Sequence, residues 1–162
     1  MDSVNTQVRV RYAETDQMGV VYHANYIVWM EIGRVEYFRA RGIRYRDMER
    51  DHSILLVVVE AHCRYHSPAR YDEEVIIRTW LENANPRMIT FGYEMTDAAT
   101  GCHLATGETK HVFCGPDHKP KKLPESYRAA FGIRSLASSL NEHTFDSRPR
   151  SQGEARLHEG GF

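Results

Sequence analysis

The sequence predicts an α+β fold in which a curved antiparallel five-stranded sheet wraps around one long central helix. Three features lead there. One strand-like segment precedes the longest apolar helical pattern in the chain, four strand-like runs follow it, and short connectors rich in turn residues separate the last three. Short connectors favour antiparallel hairpins, and a single long helix beside a meander sheet can bury both elements if the sheet curls around it.

In the first segment Val8, Val10 and Tyr12 alternate with Gln7, Arg9 and Arg11, the period of a half-buried strand. Gly19 then permits a backbone turn that most residues resist. The helix is expected over residues 25–41. Its apolar members, Ile27, Val28, Trp29, Met30, Ile32, Val35 and Phe38, spread beyond one narrow stripe, which suggests a helix enclosed on several sides. At the usual rise per residue it is about 25 Å long. Gly42 stands where a left-handed cap would stop it.

The charged stretch 44–51 is expected to form a loop with a helical turn. Residues 54–59 are apolar at every position, so both faces of that strand are expected to be covered. Beyond them Ala61, Cys63 and Tyr65 alternate with Glu60, His62 and Arg64, as if one long strand left a deep core for a wetter edge. Ser67-Pro68-Ala69 breaks the strand, because proline lacks the ladder donor. Three more strands are expected over 74–82, 88–96 and 103–114, separated by Asn83-Ala84-Asn85-Pro86 and by Asp97-Ala98-Ala99-Thr100-Gly101. A short helix over 124–131 closes a domain of residues 1–135, and the polar remainder, 136–162, is expected to be disordered.

A chain of 162 residues suits one domain with a sizeable core. Lys and Arg number 21 against 22 Asp and Glu, so no global field argues for nucleic acid or an anionic membrane surface. No uninterrupted apolar run is long enough to span a bilayer, and the first residues lack the apolar core of a secretory signal. Cys63, Cys102 and Cys114 match no close-spaced zinc or redox motif, and their odd number and scatter suit a reducing compartment. A soluble cytoplasmic protein is expected.

The chemistry concentrates between Tyr12 and Tyr26, where a strand-like segment joins the helix. The junction gathers a carboxylate, a glycine turn, a histidine and an asparagine. It can set an acidic side chain beside the free N–H groups of a helix N-terminus, where negative charge developing on a substrate oxygen is stabilised. The residues alone also allow plain readings. An Asp before a helix is most often a cap or turn residue, Asn25 is an equally good cap, Gly19 shapes a turn, and a histidine near a helix start is often only partly buried.

Thr15-Asp16-x-x-Gly19-x-x-x-His23-x-Asn25-Tyr26 resembles the signature of hotdog-fold acyl-CoA thioesterases of the 4-hydroxybenzoyl-CoA thioesterase type, with a likeness running from about Val8 to about Phe131. The resemblance implies the hotdog arrangement and hydrolysis of an acyl thioester to a free carboxylic acid and coenzyme A. It implies that Asp16 is the catalytic carboxylate and that the backbone N–H at His23, with Ala24 beside it, polarises the thioester carbonyl. Asp16 has two routes open, direct attack to give a mixed anhydride or activation of a bound water.

Gly19, Tyr22, Ala24 and Asn25 are the candidate substrate contacts around Asp16, and Arg87 is a candidate cation for the nucleotide phosphates, as are Lys119, Lys121 and Lys122. No metal or redox cofactor is expected, because a thioester is already an activated acyl group. His62-x-x-x-His66 has no obvious third ligand. The resemblance further implies a homo-oligomer, a dimer or a homotetramer, with acyl-CoA or an acyl carrier protein as the partner that brings the acyl group. A hydratase or dehydratase on the same fold, and a non-catalytic module binding acyl-CoA or acyl carrier protein, are the rival readings.

Overall fold

The computed structural model describes residues 2–133. Its elements in chain order are strand β1 (Ser3–Arg9), a 3-10 turn (Tyr12–Glu14), helix α1 (Ala24–Arg39), helix α2 (Tyr45–His52), and strands β2 (Leu55–Tyr65), β3 (Glu74–Ala84), β4 (Met88–Asp97) and β5 (His103–Cys114). Helix α3 (Glu125–Arg128) and a 3-10 turn (Ala129–Phe131) complete it. The strands form one antiparallel sheet in the order β1-β3-β4-β5-β2, and α1 packs across its concave face. The expected α+β architecture is present. The tail expected to be disordered from residue 136 lies outside the described residues.

Alternation along each strand decides what α1 touches. Val75, Ile77 and Thr79 of β3, Ile89, Phe91, Tyr93 and Met95 of β4, and Ala105, Thr109, His111 and Phe113 of β5 are buried on the face turned to the helix. From α1 the buried set is Tyr26, Trp29, Met30, Gly33, Tyr37 and Phe38, spaced three and four apart. Burying each large apolar side chain stabilises the fold by roughly 1.5–3 kcal/mol. Helix and sheet also approach closely. A Cβ on Gly33 would lie 2.4 Å from Thr79 Oγ1, and one on Gly107 would lie 2.0 Å from Met30 Cε.

Several expectations need correction. The helix is not enclosed on several sides. Its buried residues form one stripe, while Ile27 and Val28 are exposed, because the sheet covers only one flank. The first strand ends at Arg9 rather than Tyr12. Its ladder to β3 runs from Ser3 opposite Trp80 to Arg9 opposite Glu74, after which Glu14 captures the Arg11 backbone N–H and turns the chain.

Residues 45–52 are a true helix closed by Ser53 at φ 50°, with Met48 buried beneath it. The valines expected to be covered are open, Val58 at 50% and Val59 at 49% exposure, because β2 is an edge strand with no element across its far side. Its register to β5 shifts between Val58 and Glu60, so one extra residue bulges there. Gly42 does adopt a left-handed conformation just past α1, at φ 71°. No helix among the described residues is long and apolar enough to cross a membrane.

A polar group sits inside this core. Thr109 Oγ1 lies 2.7 Å from the Tyr93 hydroxyl and 2.8 Å from His111 Nε2, and Arg34 donates to the same imidazole nitrogen at 3.3 Å. Burial first, and the Arg34 charge second, push the His111 imidazole down to about 3, so it is neutral in the folded chain.

Two outcomes follow from this packing. Gly33→Ala is expected to lower stability by ~1–3 kcal/mol through overpacking against Thr79 and Ile77, despite the better helix propensity of alanine, and an unchanged or raised Tm would refute the close approach. An unfolded histidine gains a proton near its usual value of ~6.5, whereas folded His111 resists protonation down to about 3. Between these values the unfolded chain binds more protons, so stability falls as pH falls. Urea titrations at pH 7 and pH 5 are expected to show a smaller acid loss in His111→Gln than in wild type. Equal losses would contradict a buried neutral imidazole.

Candidate active site

The segment before α1 is a miniature hairpin. The Asp16 N–H donates to Val20 O at 2.9 Å, the Gly19 N–H donates to Asp16 O at 2.9 Å, and Thr15 pairs with Val21 in an isolated antiparallel bridge. Asp and Gly are favoured at the first and fourth positions of such a turn, and Gly19 has φ 73°, where a Cβ is strained. Asp16 is therefore not a helix cap. Its Oδ1 accepts the Met18 N–H at 2.8 Å, and its Oδ2 accepts no hydrogen bond among the described residues.

The chain then enters α1 through His23, the N-cap residue, already at helical angles (φ −52°, ψ −33°) and without a side-chain cap. Asn25 does not cap either. Its Nδ2 donates to Glu14 O at 2.8 Å. Among the described residues the His23 and Ala24 N–H groups have no acceptor, which leaves the positive end of the helix dipole open. The Tyr65 hydroxyl donates to His23 O at 3.1 Å and so fixes the helix entrance to the end of β2. The His23 imidazole stands 4.3 Å from the Tyr22 ring, tilted by 55°.

These features open onto one cavity of about 300 Å³, lined by Asp16, His23, Tyr26, Tyr65, His66 and apolar neighbours such as Met18 and Pro68. A carboxylate oxygen that has no partner among the described residues and a helix start without a side-chain cap share it. A carbonyl compound held there can meet a nucleophile or base on one side and N–H donors on the other.

Asp16 and His23 thus come together, while Gly19, Tyr22, Ala24 and Asn25 adjoin them in the chain without lining the cavity. Arg87 does not join them. Its N–H binds Asn85 Oδ1 in the β3–β4 turn, and its carbonyl accepts from Phe113 at the opposite end of the sheet. Between Ala105, beside Tyr65, and Val112, beside Met88, β5 runs roughly 23 Å. Lys121 lies at that far end too, donating to His52 O. Among the described residues no cluster of His, Cys, Asp and Glu is arranged to hold a metal ion.

Sequence reasoning missed Glu14 and passed over Tyr65. Glu14 is 4% exposed, and the Arg11 N–H donates to its Oε2 while the Arg11 guanidinium and the Trp29 indole N–H donate to its Oε1. Burial opposes its ionisation, but these donors outweigh the burial and hold the carboxyl below its usual range. A Glu three residues after Arg11, at capping-box spacing, was the available signal. Tyr65 reaches the site only through tertiary pairing, which no local pattern announces.

A family model described as the thioesterase-like superfamily matches residues 10–131, which hold the whole cavity and most of the sheet. The chain belongs to the thioesterase-like superfamily. Acyl-CoA thioester hydrolase YbgC of Escherichia coli is 31% identical to this thioesterase-family chain over 125 residues, covering 76% of this chain and 92% of its own. YneP of Bacillus subtilis is 42% identical over 105 residues, covering 60% and 75%.

Among solved structures, a DHNA-CoA thioesterase from Staphylococcus aureus superposes with a TM-score of 0.78 at 32% identity, covering 88% of this chain and 95% of that one. The 4-hydroxybenzoyl-CoA thioesterase from Pseudomonas sp. strain CBS-3 shares the fold, with a TM-score of 0.72 at 18% identity over 79% and 98%. The five-stranded sheet around α1 is therefore the hotdog fold, as the motif resemblance implied.

Proposed function

We propose that this protein hydrolyses an acyl-CoA thioester to a free carboxylic acid and coenzyme A, with Asp16 as the reacting carboxylate. The observation that carries the reading is the cavity that Asp16 and His23 line together: among the described residues Asp16 Oδ2 accepts no hydrogen bond, and the helix start at His23 and Ala24 has N–H groups without acceptors. The similarity to YbgC supports the substrate class. In the proposed reaction the carbonyl oxygen binds toward those N–H groups, which stabilise the negative charge as the carbonyl carbon becomes tetrahedral. Asp16 either attacks that carbon, forming an anhydride that water then cleaves, or takes a proton from the attacking water. The thiol leaves as coenzyme A, with acyl carrier protein as the alternative carrier. Gly19 and Asn25 act through the backbone shape they impose, and Tyr22 packs its ring against the His23 imidazole.

The working form is proposed to be a homo-oligomer assembled through β2. This edge strand presents an unpaired ladder together with exposed Val57, Val58 and Val59, a surface that a second copy of the same strand would satisfy. The free thiols of Cys63, Cys102 and Cys114 support a cytoplasmic setting.

Thiol release from a panel of aromatic and straight-chain acyl-CoAs tests the activity. Wild type is expected to turn over at least one of them, and Asp16→Asn, which keeps an acceptor for the Met18 N–H, is expected to be folded and at least ~100-fold slower. Equal rates would remove Asp16 from the chemistry. Conversion of an enoyl thioester without free thiol would identify a hydratase, and saturable binding without turnover a binding module. Light scattering tests the assembly: wild type is expected at two or four chain masses and Val58→Lys at a lower mass. A monomeric wild type would refute pairing through β2.

A further inference from the structure

We infer that Glu14 is the positioning residue of this site: its buried side chain clamps the Asp16 hairpin to α1 and sets where the Asp16 carboxylate stands relative to the His23 and Ala24 N–H groups. The inference rests on the hydrolytic reading and goes beyond it, since Glu14 does not line the cavity.

The first argument is cost. Glu14 is buried, and a carboxylate taken out of water is unfavourable unless charge and hydrogen bonds compensate it. Its three donors come from two separate parts of the chain, Arg11 just before the 3-10 turn and Trp29 on the second turn of α1. Trp29 is itself 1% exposed, and a buried indole N–H needs an acceptor. Glu14 supplies it at 3.1 Å.

The second argument is connectivity. The main chain of Glu14 is engaged as fully as its side chain. Its carbonyl accepts the Tyr22 N–H at 2.8 Å and Asn25 Nδ2 at 2.8 Å. Four points are thereby tied to one residue: Arg11, Tyr22, Asn25 and Trp29. Asp16 follows two residues later, inside a hairpin closed by the Thr15–Val21 bridge, and His23 directly follows Tyr22. The carboxylate and the helix entrance are therefore both referenced to Glu14. A tilt of the hairpin would move one against the other, and a displacement of about 1 Å in a reacting pair can cost ~100-fold in rate.

A merely structural Glu14 would lower stability and leave the folded enzyme with its normal turnover. The test separates the two roles with Glu14→Gln and Trp29→Phe in the full chain, measured beside wild type and Asp16→Asn on the acyl-CoA that wild type hydrolyses fastest. Gln offers one acceptor oxygen where the carboxylate offers two and turns an NH2 toward donors. Folded Glu14→Gln is expected to lose at least ~10-fold in kcat with KM within ~3-fold of wild type. Deuterium exchange at the Asp16 and Tyr22 amides is expected to speed up while β4 and β5 amides keep their protection. Trp29→Phe is expected to shift both readouts in the same direction by less.

If Glu14→Gln fails to fold, Trp29→Phe decides alone. Wild-type kcat and unchanged loop exchange in the folded variant overturn the clamp while Asp16-dependent hydrolysis still stands. A wild type inert toward every thioester overturns the hydrolytic reading and the role of Glu14 with it.

Discussion

Everything in this molecule follows from how closely α1 lies on the sheet. The helix is the main cover for the concave face, and Gly33 and Gly107 remove the side chains that would hold the two layers apart. With the backbones near each other, large residues such as Trp29, Tyr37, Phe91 and Tyr93 fit around the line of contact rather than along it. The sheet must then curl, because a flat one would leave β1 and β2 out of reach of the helix. Curvature, core composition and the orientation of the helix axis are one solution to one steric condition.

The site inherits its chemistry from that arrangement. A helix laid across a sheet has to end somewhere, and α1 begins beside the end of β2, where Tyr65 holds the His23 carbonyl. The helix start carries no side-chain cap, and Asn25 donates to the Glu14 backbone carbonyl instead. The Asn25 amide is thus diverted into bracing the preceding loop. The helix start, at His23, shares its cavity with Asp16 of the hairpin. The local stability lost by leaving the helix uncapped is offset by the buried contacts of Trp29 and Tyr26 a turn later.

Much of this was legible in the sequence, for reasons that differ by element. Strand alternation in β3, β4 and β5 and the Gly42 stop gave the architecture because those signals are local. The Asp16–Gly19 turn was legible for the same reason, since both residues carry their conformational preference with them. The environment of β2 was not. A run of five valines and leucines reads as interior, and only the strand order reveals that it forms an edge. Glu14 stayed hidden because its significance lies in Trp29, fifteen positions away, and in the carbonyl it offers to Asn25. Arg87 is a different case. A cation beside a turn is a reasonable phosphate contact in the abstract, but the antiparallel topology carries that turn to the far end of the sheet.

The extra residue in β2 governs more than a local irregularity. Before it, Leu56 and Val58 face the helix; after it the phase is reversed, so Ala61, Cys63 and Tyr65 do. Losing Val59 would merely straighten the strand, whereas losing one residue beyond it, such as Ala61, would turn His62 and Arg64 inward and take the Tyr65 hydroxyl away from the helix entrance. The spacing of this segment therefore carries information that its composition does not. The bulge thus absorbs a difference in length at one point of β2, while a change of length beyond it would rewrite the wall of the cavity that Tyr65 lines.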